Sequence, residues 1–141
     1  MNVDIFRVPV DKHCQAIEML RENIVSRRGM TADQTVEYCK SQVRDNKTAL
    51  VVVAFDGPNI PVGLGICWVP FEMNHLWIDS VWIHPGPQYK DVGPAMMEIG
   101  ITFAENLGLD EIRAETSRAR PRSLFRKYEF LTISHILAKE L

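Results

Sequence analysis

The run from Val81 to Ala95 constrains this chain more than any other segment. Val81, Trp82 and Ile83 favour a strand, Pro85, Gly86 and Pro87 stop it, and Pro94 is pre-set for the first turn of a helix. The segment reads as strand, tight loop, helix start. Such a loop carries backbone N–H groups to a helix N-terminus, where they have no helical partner and the peptide dipoles align behind them. It is a site for a phosphate or diphosphate. A phosphorylated ligand, and with it an enzyme, is the first expectation.

The flanking sequence supplies a scaffold. Val3 to Val10 reads as a strand, and Asp11 starts a helix with the stripe Cys14, Ile17, Leu20 and Ile24. Thr31 and Gln34 form a capping box for a second helix with the stripe Ala32, Val36, Cys39 and Val43. Thr48 to Phe55 is a Val-rich run suited to a strand buried on both faces. Pro61 to Val69 and Leu76 to His84 continue as an antiparallel meander into the loop. A helix from Gly93 to Leu107 stops at Gly108. Glu111 to Glu115 is a strand, Pro121 to Tyr128 a short helix, and Leu131 to Leu141 a last strand. The order β-α-α-β-β-β-α-β-α-β defines an α/β fold, a mixed sheet flanked by helices, read as a single domain over residues 1–141.

Composition narrows the partners. The net charge of −2 gives no whole-molecule attraction to nucleic acid or membrane, and no apolar stretch is long enough for a membrane span. Cys14, Cys39 and Cys67 are too far apart for a redox or zinc pair, so they read as buried thiols in a reducing, cytoplasmic setting, with no metal.

Two segments carry a family likeness: Ile83-His84-Pro85 with Gln88-Tyr89-Lys90-Asp91-Val92-Gly93 at the loop, and Ser123-Leu124-Phe125-Arg126-Lys127-Tyr128-Glu129-Phe130 at the later short helix. With the element order, they resemble the GNAT N-acetyltransferase superfamily over nearly the whole chain. The resemblance implies acetyl-CoA, or another acyl-CoA, as donor and a primary amine of a small molecule or protein as acceptor. It implies that the loop from Gln88 through Tyr89, Lys90, Asp91 and Val92 to Gly93 and Pro94 holds the diphosphate. The backbone of Val81 to Ile83 would pair with the pantetheine arm and polarise the thioester carbonyl. It further implies a basic residue for the 3′-phosphate, for which Arg122 and Arg126, one helical turn apart, are the candidates.

The chain departs from the family pattern at three points. Asp91 replaces a glycine beside the diphosphate, where like charges repel by up to roughly 4 kcal/mol before screening. Phe125 stands where many members have a tyrosine that protonates the departing thiolate, and Tyr128 is the available substitute. The C-terminal hairpin is shortened, which leaves the acceptor site open or completed by another subunit. These departures keep an alternative in view: a catalytically impaired GNAT-fold module serving a homo-oligomer or larger assembly such as a virion.

Asp79 is the first candidate for the base, on the expectation that it shares a strand face with Val81 and Ile83. His84 points the other way and reads as a loop organiser. Glu72 and His75 fall in the preceding turn, and His13 and His135 receive no role. Arg113, Arg118, Arg120, Arg122, Arg126 and Lys127 form the densest basic segment. Without interleaved exposed aromatics it does not read as a nucleic-acid surface.

Overall fold

The computed structural model describes residues 2–115, 118, 122–133 and 136–141. Strands β1 (Val3–Arg7), β2 (Ala49–Asp56), β3 (Ile60–Trp68), β4 (His75–Ile83), β5 (Glu111–Glu115), β6 (Leu131–Ile133) and β7 (Ile136–Glu140) form one sheet, in the order β1-β2-β3-β4-β5-β7-β6. The helices are α1 (His13–Met19), α2 (Ala32–Asp45), α3 (Val92–Asn106) and α4 (Arg122–Lys127). The mixed sheet with flanking helices is the expected class. The last strand of the sequence reading resolves into the short antiparallel hairpin β6–β7.

Local chemistry accounts for the helix limits. Thr31 Oγ1 accepts the Gln34 N–H at 3.1 Å while Gln34 Oε1 accepts the Thr31 N–H at 2.9 Å, so the capping box opens α2 as read. Gly108 ends α3 at φ 70°, a backbone setting that glycine reaches without steric cost.

Two hydrophobic layers sandwich the sheet. On one face, Ile17, Leu20, Ile24, Val36, Cys39 and Val43 pack against Val51, Val53, Leu64 and Ile66. On the other, Val92, Met96, Met97 and Phe103 of α3, with Leu124 and Phe125 of α4, pack against Leu50, Val52, Ala54, Ile78 and Ile112. Leu50 to Ala54 is buried on both faces, as its continuous apolar run predicts. Where α3 crosses β3, Gly63 permits the contact: a Cβ there would lie 2.7 Å from Met96 Sδ and 3.1 Å from both Ala54 Cβ and Val92 Cγ1.

Two irregularities in β4 prepare the site. Ser80 pairs with Ile66 and Ile78 with Cys67, so Asp79 is an extra residue, a β-bulge. β4 also pairs in parallel with β5 only from His75 opposite Glu111 to Ile78 opposite Ala114. Among the described residues the β4–β5 pairing ends at Ile78, and from Asp79 to Ile83 this edge of β4 has no described partner, a split in the described sheet.

Candidate functional site

The loop after β4 is held by its own side chains. His84 Nδ1 accepts the Gly86 N–H at 3.0 Å, which gives His84 the organising role read from the sequence. The Tyr89 N–H donates to the Gly86 carbonyl at 2.9 Å. The Tyr89 hydroxyl donates to Asp56 Oδ2 at 2.6 Å, tying the loop to the end of β2. That bond, assisted by burial, pushes the Tyr89 hydroxyl above its ordinary pKa.

The loop opens onto a cleft of about 390 Å³ between the end of β4, the start of α3 and α4. Ile83, Gly93 and Leu124 form its apolar wall, and Lys90 and Lys127 are its cations. Neither lysine is ion-paired among the described residues. Gly93 is required by contact, since a Cβ there would lie 2.7 Å from Ile83 Cδ1 and 3.3 Å from Leu124 Cδ2. The first-turn N–H groups of α3 have no acceptor in their own helix. Behind the cleft, a small apolar pocket of about 40 Å³ is lined by Val81, Ile78, Ile112, Gly93, Met96 and Leu124. An open strand edge, a helix start and two lysines fit a long ligand with an apolar arm and phosphates.

Several sequence-predicted site residues fall here and others do not. Ile83, Tyr89, Lys90, Gly93 and Pro94 line the cleft, and Val81 lines the adjoining pocket. Val92 is buried in the core, and Gln88 is exposed, with its side chain folded against Gly86. Asp91 precedes α3 at φ −92°, so the loop makes no left-handed demand there, and its exposed side chain is not part of the cleft wall. The repulsion expected of its charge is correspondingly reduced.

Three other candidates stand away from the cleft wall. Arg122 and Arg126 are exposed and do not line the cleft; helical phase gives that face to Ser123, Leu124 and Lys127 instead. Tyr128 lies outside the cleft wall, and its hydroxyl donates to the Pro94 carbonyl at 3.2 Å; burial first, then the Glu98 carboxylate, raises its pKa. Asp79 does not share a face with Val81 and Ile83, because the bulge shifts the alternation and turns it toward α2. Phe125 belongs to the core, edge-on to Phe130 at 5.0 Å. Arg120, Pro121 and His135 lie outside the described residues.

Asp79 instead centres a buried charge cluster. Arg27, in the connection between α1 and α2, forms an ion pair with Oδ1, and Arg118 Nη2 lies 3.4 Å from Oδ2. The Ser80 hydroxyl donates to Oδ2 at 3.2 Å and the Cys39 thiol lies 3.3 Å from the same oxygen. Arg118 also donates to the Asp79 carbonyl at 3.1 Å, the Ser80 hydroxyl at 2.9 Å and the Val25 carbonyl at 2.7 Å. A carboxylate with both oxygens so engaged is not a free base. Burial, reinforced by Asp79, pushes the Cys39 thiol up to about 12, and burial does the same to Cys67, so neither is poised as a nucleophile.

Sequence reasoning named Lys127 only as part of the basic segment and gave Glu115 no role. Ile112 and Ala114 face α3, so alternation sends Glu115 to the opposite face, at the end of β5 beside the split. It is half-buried and has no ion pair among the described residues. Lys127 was legible as the i+4 partner of Ser123, but which helical face met the cleft was not.

A seven-stranded mixed sheet flanked by helices, with a phosphate-type loop after β4, defines the class, and the comparisons agree. The family model described as acetyltransferase (GNAT) family matches residues 15–130. The chain therefore belongs to the GNAT acetyltransferase family. Its fold is that of the PaiA N-acetyltransferase from Thermoplasma acidophilum in complex with coenzyme A (TM-score 0.67, 16% identity, 100% of both chains). It is also that of a GNAT-family acetyltransferase from Streptococcus pneumoniae (TM-score 0.69, 12% identity, 99% of both chains). N-acetylglutamate synthase from Neisseria gonorrhoeae, complexed with coenzyme A and N-acetyl-glutamate, matches all of this chain over 35% of its own length (TM-score 0.63, 18% identity). The search of curated proteins returns no match. Nothing in these comparisons supports the alternative of a module without catalysis. Among the described residues, no helix is long and apolar enough to cross a membrane.

Proposed function

We propose that this chain is an acyl-CoA-dependent N-acetyltransferase that moves an acetyl group from acetyl-CoA to a primary amine. The observation that carries this reading is the cleft at the end of β4, where the described pairing with β5 has stopped and where Lys90 of the loop and Lys127 of α4 meet the start of α3. Lys127, Lys90 and the first-turn amides of α3 would hold the phosphates. The open backbone of Val81 to Ile83 would pair with the pantetheine arm as an added strand. The small apolar pocket behind the cleft favours a short acyl group over a long one.

The reaction is direct. The amine lone pair attacks the thioester carbonyl carbon, a C–N bond forms, the C–S bond breaks, and the thiolate takes up the proton that the amine gives off. A free alkylamine, with a pKa of about 10, arrives largely protonated and must first lose a proton. Glu115, half-buried beside the split and without an ion pair among the described residues, is the group we assign to take it, directly or through water. The buried Cys39 and Cys67 thiols favour direct transfer over a cysteine acyl-enzyme. The three free thiols suit the cytoplasm.

The test is calorimetric titration of acetyl-CoA and CoA, followed by thiol release with a panel of amines. Micromolar binding is expected, weakened about five- to tenfold in Lys127→Ala. Glu115→Gln should bind CoA normally and lose most of its turnover. A chain that binds neither ligand overturns the reading.

A further inference from the structure

We propose that the acceptor is an amine that also carries a carboxylate, and that Arg27 binds this carboxylate. The inference rests on the acyltransferase reading above and names the substrate class of that same site. A donor in the cleft occupies the α3 side of the split, so the acceptor must approach from the other face. The groups that meet it there are the α1–α2 connection, the charge cluster at Asp79 and Ser80, and Glu115.

The cluster is unbalanced. Two guanidiniums, those of Arg27 and Arg118, share one carboxylate, and Asp79 is their only ion-pair partner among the described residues. The undescribed residues are Met1, Thr116, Ser117, Ala119, Arg120, Pro121, Ser134 and His135, none of them acidic, so no undescribed side chain supplies a second carboxylate to these guanidiniums. A charge at a partly buried site without a counter-ion is costly, and an incoming anion relieves that cost.

Arg118 and Arg27 are employed differently. The Arg118 side chain is 6% exposed and bonds to Asp79, Ser80 and Val25, which makes it a structural clamp. The Arg27 side chain is 20% exposed, and its guanidinium makes one hydrogen bond among the described residues, to Asp79. The guanidinium also lies over the Tyr38 ring, 4.4 Å from its centroid. One edge and one face are thus fixed, and the remaining donors are left for a ligand. A planar fork held rigidly in this way is matched to a carboxylate, which it can take with two parallel hydrogen bonds. Glu115, on the other lip of the split, carries the opposite charge. Together the lips suit a molecule bearing an ammonium and a carboxylate.

The experiment compares amino acids with their carboxamides as acceptors of the acetyl group. The best acceptor should carry the carboxylate, and its amide should be lower by about 10- to 100-fold in kcat/KM. Arg27→Gln should remove that difference, acting through KM on the acid alone, while calorimetry shows unchanged CoA affinity. Asp79 keeps Arg118 in this variant, so the fold is retained. Arg27→Lys, which restores the charge without the fork, should recover part of the preference. Amides that serve as well as acids overturn the inference, as does an Arg27→Gln loss equal for both, which would mean a structural role only. A second readout does not need turnover. In 15N-arginine-labelled protein, the Arg27 Nε–H resonance should shift saturably with N-acetylglycine and N-acetylglutamate and stay still with N-acetylglycinamide. A chain that binds CoA while Arg27 ignores these carboxylates overturns this inference alone, whereas absent CoA binding overturns the acyltransferase reading. The arginine signal still reads carboxylate binding in that case.

Discussion

On its α3 side, strand β4 borders an open cleft with an apolar wall, a helix start and two lysines. On its α2 side it carries a buried knot of charge in which side chains meet at one carboxylate. The first surface, on the proposed reading, would recognise its ligand through strand-edge and helix-start amides, which almost any residue can supply. Asp91 and Phe125, where the chain departs from the family pattern, lie outside that wall, one in solvent and one in the core. The second has no such tolerance, because Arg27, Arg118, Cys39 and Ser80 all converge on the one carboxylate of Asp79.

The strongest way to break this comparison is to remove Asp79. Asp79→Ala strands two guanidiniums in a buried site, and about 3–5 kcal/mol of stability should be lost in urea denaturation. A loss below about 1 kcal/mol would mean that the arginines simply turn to water, and the contrast between the two faces would dissolve. Next in size is Gly63→Ala. Met96 can swing aside, but Ala54 and the branched Val92 cannot, so about 1–3 kcal/mol is expected by the same measurement, with α3 displaced from the sheet.

Acid should act on stability through groups outside the cleft. Burial above all pushes His13 and His75 below the ordinary 6.5. The unfolded chain then binds protons before the folded one does. Stability is full above 6.5 and falls as the pH drops through 6.5 toward the lowered folded values. His13 Nδ1 has no hydrogen-bond partner among the described residues, so its protonation would bury an unpaired N–H. Thermal melts should show a falling Tm between about pH 7.5 and about pH 5.5, flattened in the His13→Asn, His75→Asn double variant. A flat wild-type profile would contradict this assignment.

The smallest effect is expected at Asp91. Its carboxylate stands outside the cleft wall in solvent, so Asp91→Gly should change CoA affinity by less than about threefold in calorimetry. A gain of tenfold or more would show that the charge reaches the diphosphate after all.

Local pattern made much of the scaffold legible. The Thr31 capping box, the Gly108 stop, the doubly buried β2 and the span of β5 depend on neighbours a few residues away, where periodicity and propensity act. The loop from His84 to Gly93 was legible for the same reason. Which residues of α4 meet the cleft was not, since helical spacing gives the relative phase of Arg122, Arg126 and Lys127 but not the direction of the sheet.

The sequence by itself determined the order of elements, the class of the sheet and the position of the loop, because each follows from local periodicity and turn chemistry. Only the tertiary structure decided what Asp79 does. A single extra residue opposite Ile66 and Cys67 reversed its face, and its partners come from positions as distant as Arg27 and Arg118. A bulge is a property of two paired strands, and a buried ion cluster is a property of chain segments brought together by packing, so neither is written in the neighbourhood of the residue it governs.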